Sequence, residues 1–270
     1  YSGDDAAAQG RVYLAQISGA LPTTEAAITT QKDTAITNVN TSIQAAVDAG
    51  NAVAGTSFQL TTAGDTFTGG DGNDIFRGSI DDNTAANNTF TLLDTLAGAG
   101  GDDTFYITGD VSGAGIAIPA ASVSGIENYS VRNVSGQVLT FNTANVSGEE
   151  KIVSDRSTAQ LTLTNVAAGT TLEVNGDGST TNGGFTAGYA ATATAGVLNV
   201  TNGTTAGAIA VNGAGMTSMT ISSTGAANTV GTVSSTGTQA STTVDATTNL
   251  TMTSLAVGTN AAAQSLTITG

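Results

Sequence analysis

The sequence has no cysteine, no histidine and no tryptophan, and only two prolines among its 270 residues. Without cysteine the chain has no disulfide scaffold and no thiolate metal site. Without cysteine and histidine, and with only Lys32 and Lys151 as lysines, it lacks most of the groups that form nucleophile–base pairs. These absences favour a structural or binding protein over an enzyme.

Basic residues are also scarce, since six Lys and Arg stand against 21 Asp and Glu and the net charge is −15. Nucleic acids and anionic membrane surfaces attract basic protein surface, so this balance argues against both as partners. No stretch approaches the roughly 18 consecutive apolar residues of a membrane-spanning helix. We therefore expect a protein that is not transmembrane and has no nucleic-acid partner.

The acidic residues are concentrated, with nine of them between residues 65 and 110 and Arg77 as the only base there. Such a cluster repels itself unless cations screen it or bind to it. A ligand that binds only the folded state stabilises that state. Folding of this segment is therefore expected to depend on cations.

The acidic segment contains a nine-residue repeat. Residues 69–77 read Gly-Gly-Asp-Gly-Asn-Asp-Ile-Phe-Arg, which fits the G-G-x-G-x-D-x-U-x pattern of a calcium-binding parallel β-roll, where U is a large apolar residue. Phe58, Phe67 and Phe76 follow the same spacing, and residues 98–105 come within one substitution of the pattern. Glycine permits the positive φ that turns the carbonyls toward one cation, and Asp supplies the hard oxygen that Ca²⁺ prefers.

The repeat predicts a Ca²⁺ site formed by acids and turn glycines. Two nonapeptides make one coil, so turns about eighteen residues apart should stack. On this spacing Asp65 is expected near Asp81 or Asp82, and Asp74 near Asp94. The alternative, a Gly/Asp-rich surface loop without metal, does not explain why the aromatic and acidic repeats coincide. The predicted metal-binding residues are Asp65, Gly70, Asp71, Gly72, Asp74, Asp81, Asp82, Asp94, Gly101, Asp102 and Asp103.

Three segments of different character follow one another. Residues 1–55 are predicted to be helical, with a first helix at 6–17 and a longer one that starts near Glu25 and ends at Gly50 or Gly55. Residues 56–110 form the predicted RTX-like calcium β-roll, with an insertion at 77–93. From residue 111 to residue 270, short alternating segments recur at intervals of about 10–12 residues, which is typical of a β-sandwich or a β-solenoid.

Small side chains favour the solenoid over the sandwich. Ala, Gly, Ser and Thr dominate residues 111–270, and large aromatics are nearly absent after Tyr189. A sandwich core needs larger inward side chains, whereas a narrow coil needs one or two aliphatic residues per strand. We therefore predict a mainly β protein with a short N-terminal helical segment, a calcium-binding β-roll and then a parallel β-solenoid. The chain stops inside a strand-like run, so we expect it to be incomplete at the C-terminus.

The last third of the chain is almost uncharged, because Asp245 is the only charged side chain between Gly178 and Gly270. Its exposed faces must therefore consist of Thr, Ser and Asn, which suits packing against neighbouring molecules more than repulsion in solution. Open solenoid edges also favour association. We expect the protein to self-assemble.

The order of these parts resembles the S-layer proteins of Gram-negative bacteria. An Ala-rich helical segment, the run Phe58-Gln59-Leu60-Thr61-Thr62 before the aspartate turns, and a Thr/Ala/Gly/Ser/Asn-rich β-region carry the resemblance. In addition, residues 123–127 are similar to the V-x-x-I-E element that follows the first calcium turns in that family. The resemblance assigns calcium binding to Asp65, Gly70, Gly72, Asp74, Asp94, Gly101 and Asp103.

What the resemblance implies is an RTX-type protein that is secreted by the type I route and stays extracellular at the cell surface. Its partners would be copies of itself, assembled by Ca²⁺ into a two-dimensional lattice, and cell-surface lipopolysaccharide. We expect no catalytic activity, because adjacent acids such as Asp102 and Asp103 point to opposite faces of a strand.

Two other binding functions are less consistent with the sequence. The stalk of a calcium-stiffened RTX adhesin would consist of near-identical tandem domains, and no long internal duplication is visible. An ice-binding solenoid would need uninterrupted ladders of Thr-x-Thr, but Arg132, Glu173 and Asn199 interrupt equivalent strands.

Overall fold

The computed structural model describes residues 25–50, 53–113, 115–258 and 264–270. The chain divides into two compact units, residues 1–54 and residues 55–270. In the first, helix α1 spans Glu25–Gly50, which confirms the second predicted helix and its end at Gly50. The first predicted helix, at residues 6–17, lies outside the described residues. Within the described part of the chain, no helix has the length and apolar character needed to cross a membrane.

The second unit consists of short strands joined by turns. The first twelve strands are β1 Ser57–Gln59, β2 Thr66–Thr68, β3 Ile75–Asp81, β4 Thr95–Ala97, β5 Thr104–Asp110, β6 Ile116–Ala117, β7 Ser122–Ser124, β8 Asn128–Asn133, β9 Leu139–Asn142, β10 Val146–Ser147, β11 Lys151–Asp155 and β12 Leu161–Val166. The others are β13 Thr171–Asn175, β14 Thr181–Asn182, β15 Phe185–Tyr189, β16 Ala195–Thr201, β17 Thr205–Ala206, β18 Ile209–Asn212, β19 Ser218–Thr224, β20 Asn228–Ser234, β21 Ser241–Ala246, β22 Leu250–Ala256 and β23 Ser265–Thr269. Two 3₁₀ turns, Ala85–Asn87 and Thr143–Asn145, lie between them.

The strands form three parallel sheets. Sheet A has the order β1-β3-β5-β8-β11-β13-β16-β19-β21-β23, sheet B the order β10-β7-β4-β2, and sheet C the order β14-β17-β20-β18-β15-β12-β9-β6 with β22 beside β20. Neighbours in sheet A pair parallel and are separated in the chain by strands of the other sheets. The chain therefore winds as a parallel β-solenoid, and the predicted fold class is confirmed.

Sheet A continues from the predicted β-roll into the predicted solenoid without a break. Strand β5 ends at Asp110, where the sequence indicated a segment boundary. The same strand pairs along its length with β8, which belongs to the following segment. Residues 55–270 accordingly share one hydrophobic core.

Inward-facing side chains stack in a column along sheet A. Alternation along each strand turns every second residue inward, and the parallel register places Phe58, Phe76, Phe105 and Tyr129 side by side. The ring centroids of Phe58 and Phe76 are 4.9 Å apart, and those of Phe58 and Phe67 of sheet B are 5.1 Å apart. The nine-residue aromatic repeat is thus explained, since residues eighteen apart share a sheet and the residue between them lies on the other sheet.

The insertion in the β-roll differs from its predicted limits. Because Ile75 to Ile80 alternate between inward and outward positions, β3 runs on to Asp81, and the loop starts after it rather than at Arg77. The loop is fixed by Phe90, which is 1 % exposed and packs edge-on against Phe105 at 4.9 Å. The later coils of sheet A, from β11 to β23, repeat every 20 to 26 residues.

Candidate metal centre

An acidic residue precedes each of three neighbouring strands of sheet A. Asp74, Asp103 and Glu127 stand before β3, β5 and β8, and the parallel register stacks them as an acidic column. The backbone N–H of Asp74 donates to Asp103 Oδ1 at 2.6 Å, and the N–H of Asp103 donates to Glu127 Oε2 at 2.8 Å. Each carboxylate therefore caps the start of the preceding strand in the stack.

A second pair of aspartates occupies the same position on sheet B, directly before β2 and β4. The N–H of Asp65 donates to Asp94 Oδ1 at 2.8 Å. The remaining carboxylate oxygens accept from their own turns, Asp65 Oδ2 from the N–H of Thr61 at 2.7 Å and Asp94 Oδ2 from that of Thr91 at 2.6 Å. These two side chains are already satisfied by the turns in which they lie.

The predicted stacking of the aspartates is corrected by this register. Asp65 stacks on Asp94 and Asp74 stacks on Asp103, each pair 29 residues apart, so the pairings of Asp65 with Asp81 or Asp82 and of Asp74 with Asp94 are wrong. The reason is the loop after β3, which lengthens one coil from the 18 residues between Thr56 and Asp74 to 29.

Asp81 and Asp82 lie at the opposite end of β3 from the acidic column. Asp81 accepts hydrogen bonds from Asn87 Nδ2 and from the N–H of Thr84, which lower the pKa of its carboxyl. Asp82 accepts from the N–H of Ser112 at 2.6 Å and from its hydroxyl, and these bonds likewise lower its pKa. Both residues hold loops together, and the structure does not bring them to the other predicted ligands.

The turn glycines and exposed acids stack beside the acidic column. The N–H of Gly100 donates to Gly70 O at 2.9 Å, and Asp102 Oδ1 accepts from Asn128 Nδ2 at 2.5 Å. Gly101 has φ of +116°, and a Cβ there would lie 2.6 Å from Gly72 O, so both its conformation and its neighbour require glycine. Asp71 is exposed at the same turn.

One carboxylate oxygen in the column has no partner. Asp103 is fully buried, and its Oδ2 accepts no hydrogen bond in the described part of the chain. It lies beside the carbonyl oxygen of Gly125, because a Cβ built on Gly98 would overlap both atoms. The turn one coil earlier places Asp74 Oδ2 and Gly98 O around the missing Cβ of Gly69 in the same way, but there the Oδ2 accepts from the N–H of Gly70 at 2.7 Å.

Two acceptor oxygens side by side in a buried place are unfavourable without a donor or a cation between them. Burial raises the pKa of Asp103, and the charges of Glu127, Asp74 and Asp102 raise it further. The charged carboxylate is thus disfavoured where it stands. A hard cation, for which carboxylate and carbonyl oxygens are the preferred ligands, would remove both penalties, so these residues fit the predicted Ca²⁺.

Side chains alone do not make this site. In residues 25–50 and the described parts of 53–270, no three acidic side chains converge on a point where they could hold a metal ion. The column spaces them one strand apart, so a bound ion would depend on carbonyls such as those of Gly98 and Gly125.

Known proteins assign no family. No family model matches the chain, and no curated protein matches it.

Sequence reasoning missed Glu127 as a member of the column. A signal was present, because Glu127 stands two residues before the inward-facing Tyr129, as Asp74 does before Phe76 and Asp103 before Phe105. Reading the repeat as acid-x-aromatic rather than Asp-x-aromatic would have included it.

The hydroxyl of Tyr129 is buried without a hydrogen-bond partner among the described residues. Burial raises its pKa well above the ordinary value, and Glu149 and Glu127 add to the effect. We expect Tyr129→Phe to leave the free energy of unfolding unchanged or to raise it by about 1–2 kcal/mol, because an unsatisfied buried group is removed. Urea unfolding at fixed calcium concentration measures the change.

The matched control is Tyr189→Phe, since the Tyr189 hydroxyl donates to Thr170 O and its loss should cost about 1 kcal/mol. A greater loss of stability in Tyr129→Phe than in Tyr189→Phe would show that the Tyr129 hydroxyl is satisfied.

Proposed function

We propose that this protein is a calcium-dependent structural subunit that self-assembles on the cell surface. The observation that carries the proposal is the buried, unpartnered Asp103 Oδ2 beside the Gly125 carbonyl, within a column of stacked carboxylates of the described residues. Asp103 and Asp74, together with the carbonyls of Gly98 and Gly125, would hold the ion. Calcium would supply the positive charge that this column lacks, and no bond is made or broken.

A structural role is supported by how the acidic column is connected. Its carboxylates bond the starts of β3, β5 and β8 to one another, so an ion bound there would fix the spacing between coils. Bound ions would therefore make the geometry of the first coils depend on external calcium, whose millimolar concentration outside cells suits weak extracellular sites.

Self-assembly is supported by the surface of the later coils. From Gly178 to Gly270 a single charged side chain, Asp245, interrupts the Thr, Ser and Asn that cover the sheets. Such a surface gives little electrostatic repulsion between copies. Type I secretion and attachment to lipopolysaccharide belong to the same proposal and derive from the resemblance to S-layer proteins.

Removal of calcium tests the proposal directly. In buffer with about 1–10 mM Ca²⁺, the range for extracellular calcium modules, we expect ordered sheets by negative-stain microscopy and a β-rich circular dichroism spectrum. Excess EDTA should dissolve the sheets and reduce the dichroism, because the acidic segment then repels itself. Mg²⁺ at equal concentration is the matched control, since it has the same charge but prefers fewer ligands and keeps its waters.

The outcomes separate the candidate functions. If neither spectrum nor oligomeric state responds to chelation, calcium dependence is wrong. If the spectrum responds but the protein stays monomeric in calcium, the adhesin-stalk alternative replaces the lattice subunit. The unequal coil lengths along sheet A argue against the identical tandem domains of a stalk.

A further inference from the structure

The outward face of sheet A contains a slot between two larger side chains. Strands β5, β8 and β11 place Tyr106, Ser130 and Val153 side by side in one row. Neighbouring strands are about 4.7–4.9 Å apart, so Tyr106 and Val153 stand on either side of the small Ser130 with room for one flat ring between them. The groove around this slot has a volume of about 350 Å³.

One wall of the slot is the exposed aromatic ring of Tyr106, and Arg77 packs against the ring face that points away from the slot. The ring is 43 % exposed, and the guanidinium of Arg77 lies over one of its faces, 5.0 Å from the centroid. Arg77 belongs to β3, on the side of β5 away from β8, so the opposite ring face is turned toward the slot. An aromatic face of this kind is electron-rich and apolar, as the C–H face of a sugar ring requires of a stacking partner.

Polar groups along the slot are fixed by bonds to one another. Lys151 Nζ lies 3.1 Å from Glu173 Oε2, and Asn175 Nδ2 donates to Asp155 Oδ1 at 2.7 Å. Glu173 Oε1 also accepts from the hydroxyl of Thr201 at 2.9 Å. These amide, ammonium and carboxylate groups are pre-organised, which lowers the entropic cost of binding hydroxyl groups.

The basic side chains of the solenoid lie on strands close to this slot, and Lys151 lines the groove itself. Residues 55–270 contain only four basic side chains, Arg77, Arg132, Lys151 and Arg156, and all four lie on or directly after β3, β8 and β11. Arg156 is paired with Asp155 at 2.7 Å, whereas no carboxylate of the described residues lies within ion-pair distance of Arg77 or Arg132. The two carboxylates of the groove, Glu173 and Asp155, are already paired with Lys151, Arg156 and Asn175. Arg132, on β8 next to Ser130, is therefore the nearby cation that an anionic substituent would meet.

We propose that the slot formed by Tyr106, Ser130 and Val153 binds an acidic saccharide. One sugar ring stacks on Tyr106 above Ser130, and its hydroxyl groups form hydrogen bonds with the polar groups along the slot. Its carboxylate or other anionic substituent lies toward Arg132. The proposal uses none of the acidic-column residues, so it stands or falls independently of calcium binding at Asp103.

The test uses the full chain in calcium buffer on an array of oligosaccharides, some bearing uronate, sialate or phosphate groups and others neutral. We expect binding to acidic members and weak or no binding to neutral ones, followed by calorimetric titration with the best-retained oligosaccharide. Tyr106→Ala and Ser130→Leu, which remove the stacking face and fill the slot, should each weaken binding at least about tenfold, as loss of an anchoring aromatic does. Arg132→Gln should weaken the binding of acidic oligosaccharides only.

The controls match each change in size or charge. Thr220→Leu adds a similar side chain to the outward face of sheet A on β19, Lys32→Gln removes one cation from α1, and Tyr106→Phe keeps the ring. All three should bind like the unmodified chain, and dichroism spectra should show that every variant is folded. Binding of neutral and acidic oligosaccharides alike, full affinity in Tyr106→Ala, or no binding to any acidic member overturns the proposal.

Discussion

Replacing Asp103 by asparagine is expected to reverse the order of stability between the variant and the unmodified protein when calcium is added. The introduced amide keeps an acceptor for the N–H of Asp74 and places an N–H donor beside the Gly125 carbonyl. In EDTA the Asp103→Asn variant should therefore be more stable by about 1–2 kcal/mol, because a buried repulsion becomes a hydrogen bond.

Calcium should stabilise the unmodified protein and leave the variant unchanged. At a free Ca²⁺ concentration about one hundred times the dissociation constant, the gain is about 2.7 kcal/mol. For a domain of this size each kcal/mol shifts the melting temperature by about 2–4 °C. The melting temperatures of both proteins in EDTA and in calcium show directly whether the order of stability reverses.

The pH dependence provides an independent readout. The pKa of Asp103 is raised in the folded state, so the folded state binds its proton more tightly than the unfolded chain does. In EDTA its charge lowers stability at neutral pH, and stability returns as the pH falls through the raised pKa. As the pH falls over that range, the difference in the free energy of unfolding between the unmodified protein and Asp103→Asn should shrink. The other carboxylates are common to both proteins and do not change this difference.

The control is Asp245→Asn, which also removes one negative charge but lies exposed on β21. Its stability should respond to calcium as the unmodified protein does. A calcium-dependent rise of equal size in Asp103→Asn would place the ion elsewhere.

Replacing Gly98 by alanine is expected to cost at least about 3 kcal/mol of stability, at the upper end of what overpacking costs. The added methyl group would occupy the point where Gly125 O and Asp103 Oδ2 meet. Gly125 O is a backbone atom, and the Asp103 carboxylate is held by its hydrogen bond from the N–H of Asp74. Neither oxygen can therefore move without disturbing the start of β5. Because the methyl group would push apart the two oxygens proposed to hold the cation, the calcium response should also be lost.

Gly70→Ala is the matched control within the same nonapeptide repeat. No atom lies within 4 Å of a Cβ on Gly70 and its φ is not positive, so the change should alter stability by about 1 kcal/mol or less. Guanidinium or urea unfolding of both variants, with and without calcium, gives the comparison. Equal losses at Gly70 and Gly98 would mean that the close contact at Gly98 relaxes easily.

The sequence predicted the coiled fold correctly in those segments where the alternation of side chains along a strand sets the spacing between inward-facing residues. Phe58, Phe67 and Phe76 revealed the two-sheet repeat, because inward positions recur at fixed intervals along a parallel coil. After Tyr189 the small residues still indicated a solenoid, since a narrow coil needs little volume inside. Both inferences depend on local periodicity, which a sequence displays directly.

The sequence-based prediction was wrong where a loop changed the number of residues per coil. It also missed the hydrogen bonds that carboxylates make to backbone groups. The loop after β3 shifted the partner of Asp65 from the predicted Asp81 or Asp82 to Asp94, and a long surface loop costs too little free energy for the sequence to restrict its length. The role of Asp103 in capping Asp74 is a contact between residues 29 apart, and the sequence alone contains no sign of it. Tyr106 and Ser130 likewise become neighbours only through strand register.

The distribution of aromatic rings along the core has a consequence for how the solenoid comes apart. Each coil of such a repeat contacts only the coils beside it, so stability is close to a sum of local contributions. Fully buried rings, among them Phe76, Phe105, Tyr129 and Phe141, occupy the early coils, and no aromatic residue follows Tyr189. The coils therefore differ in strength along the chain, and the molecule has a built-in direction in which it unravels, from the aliphatic coils toward the aromatic ones.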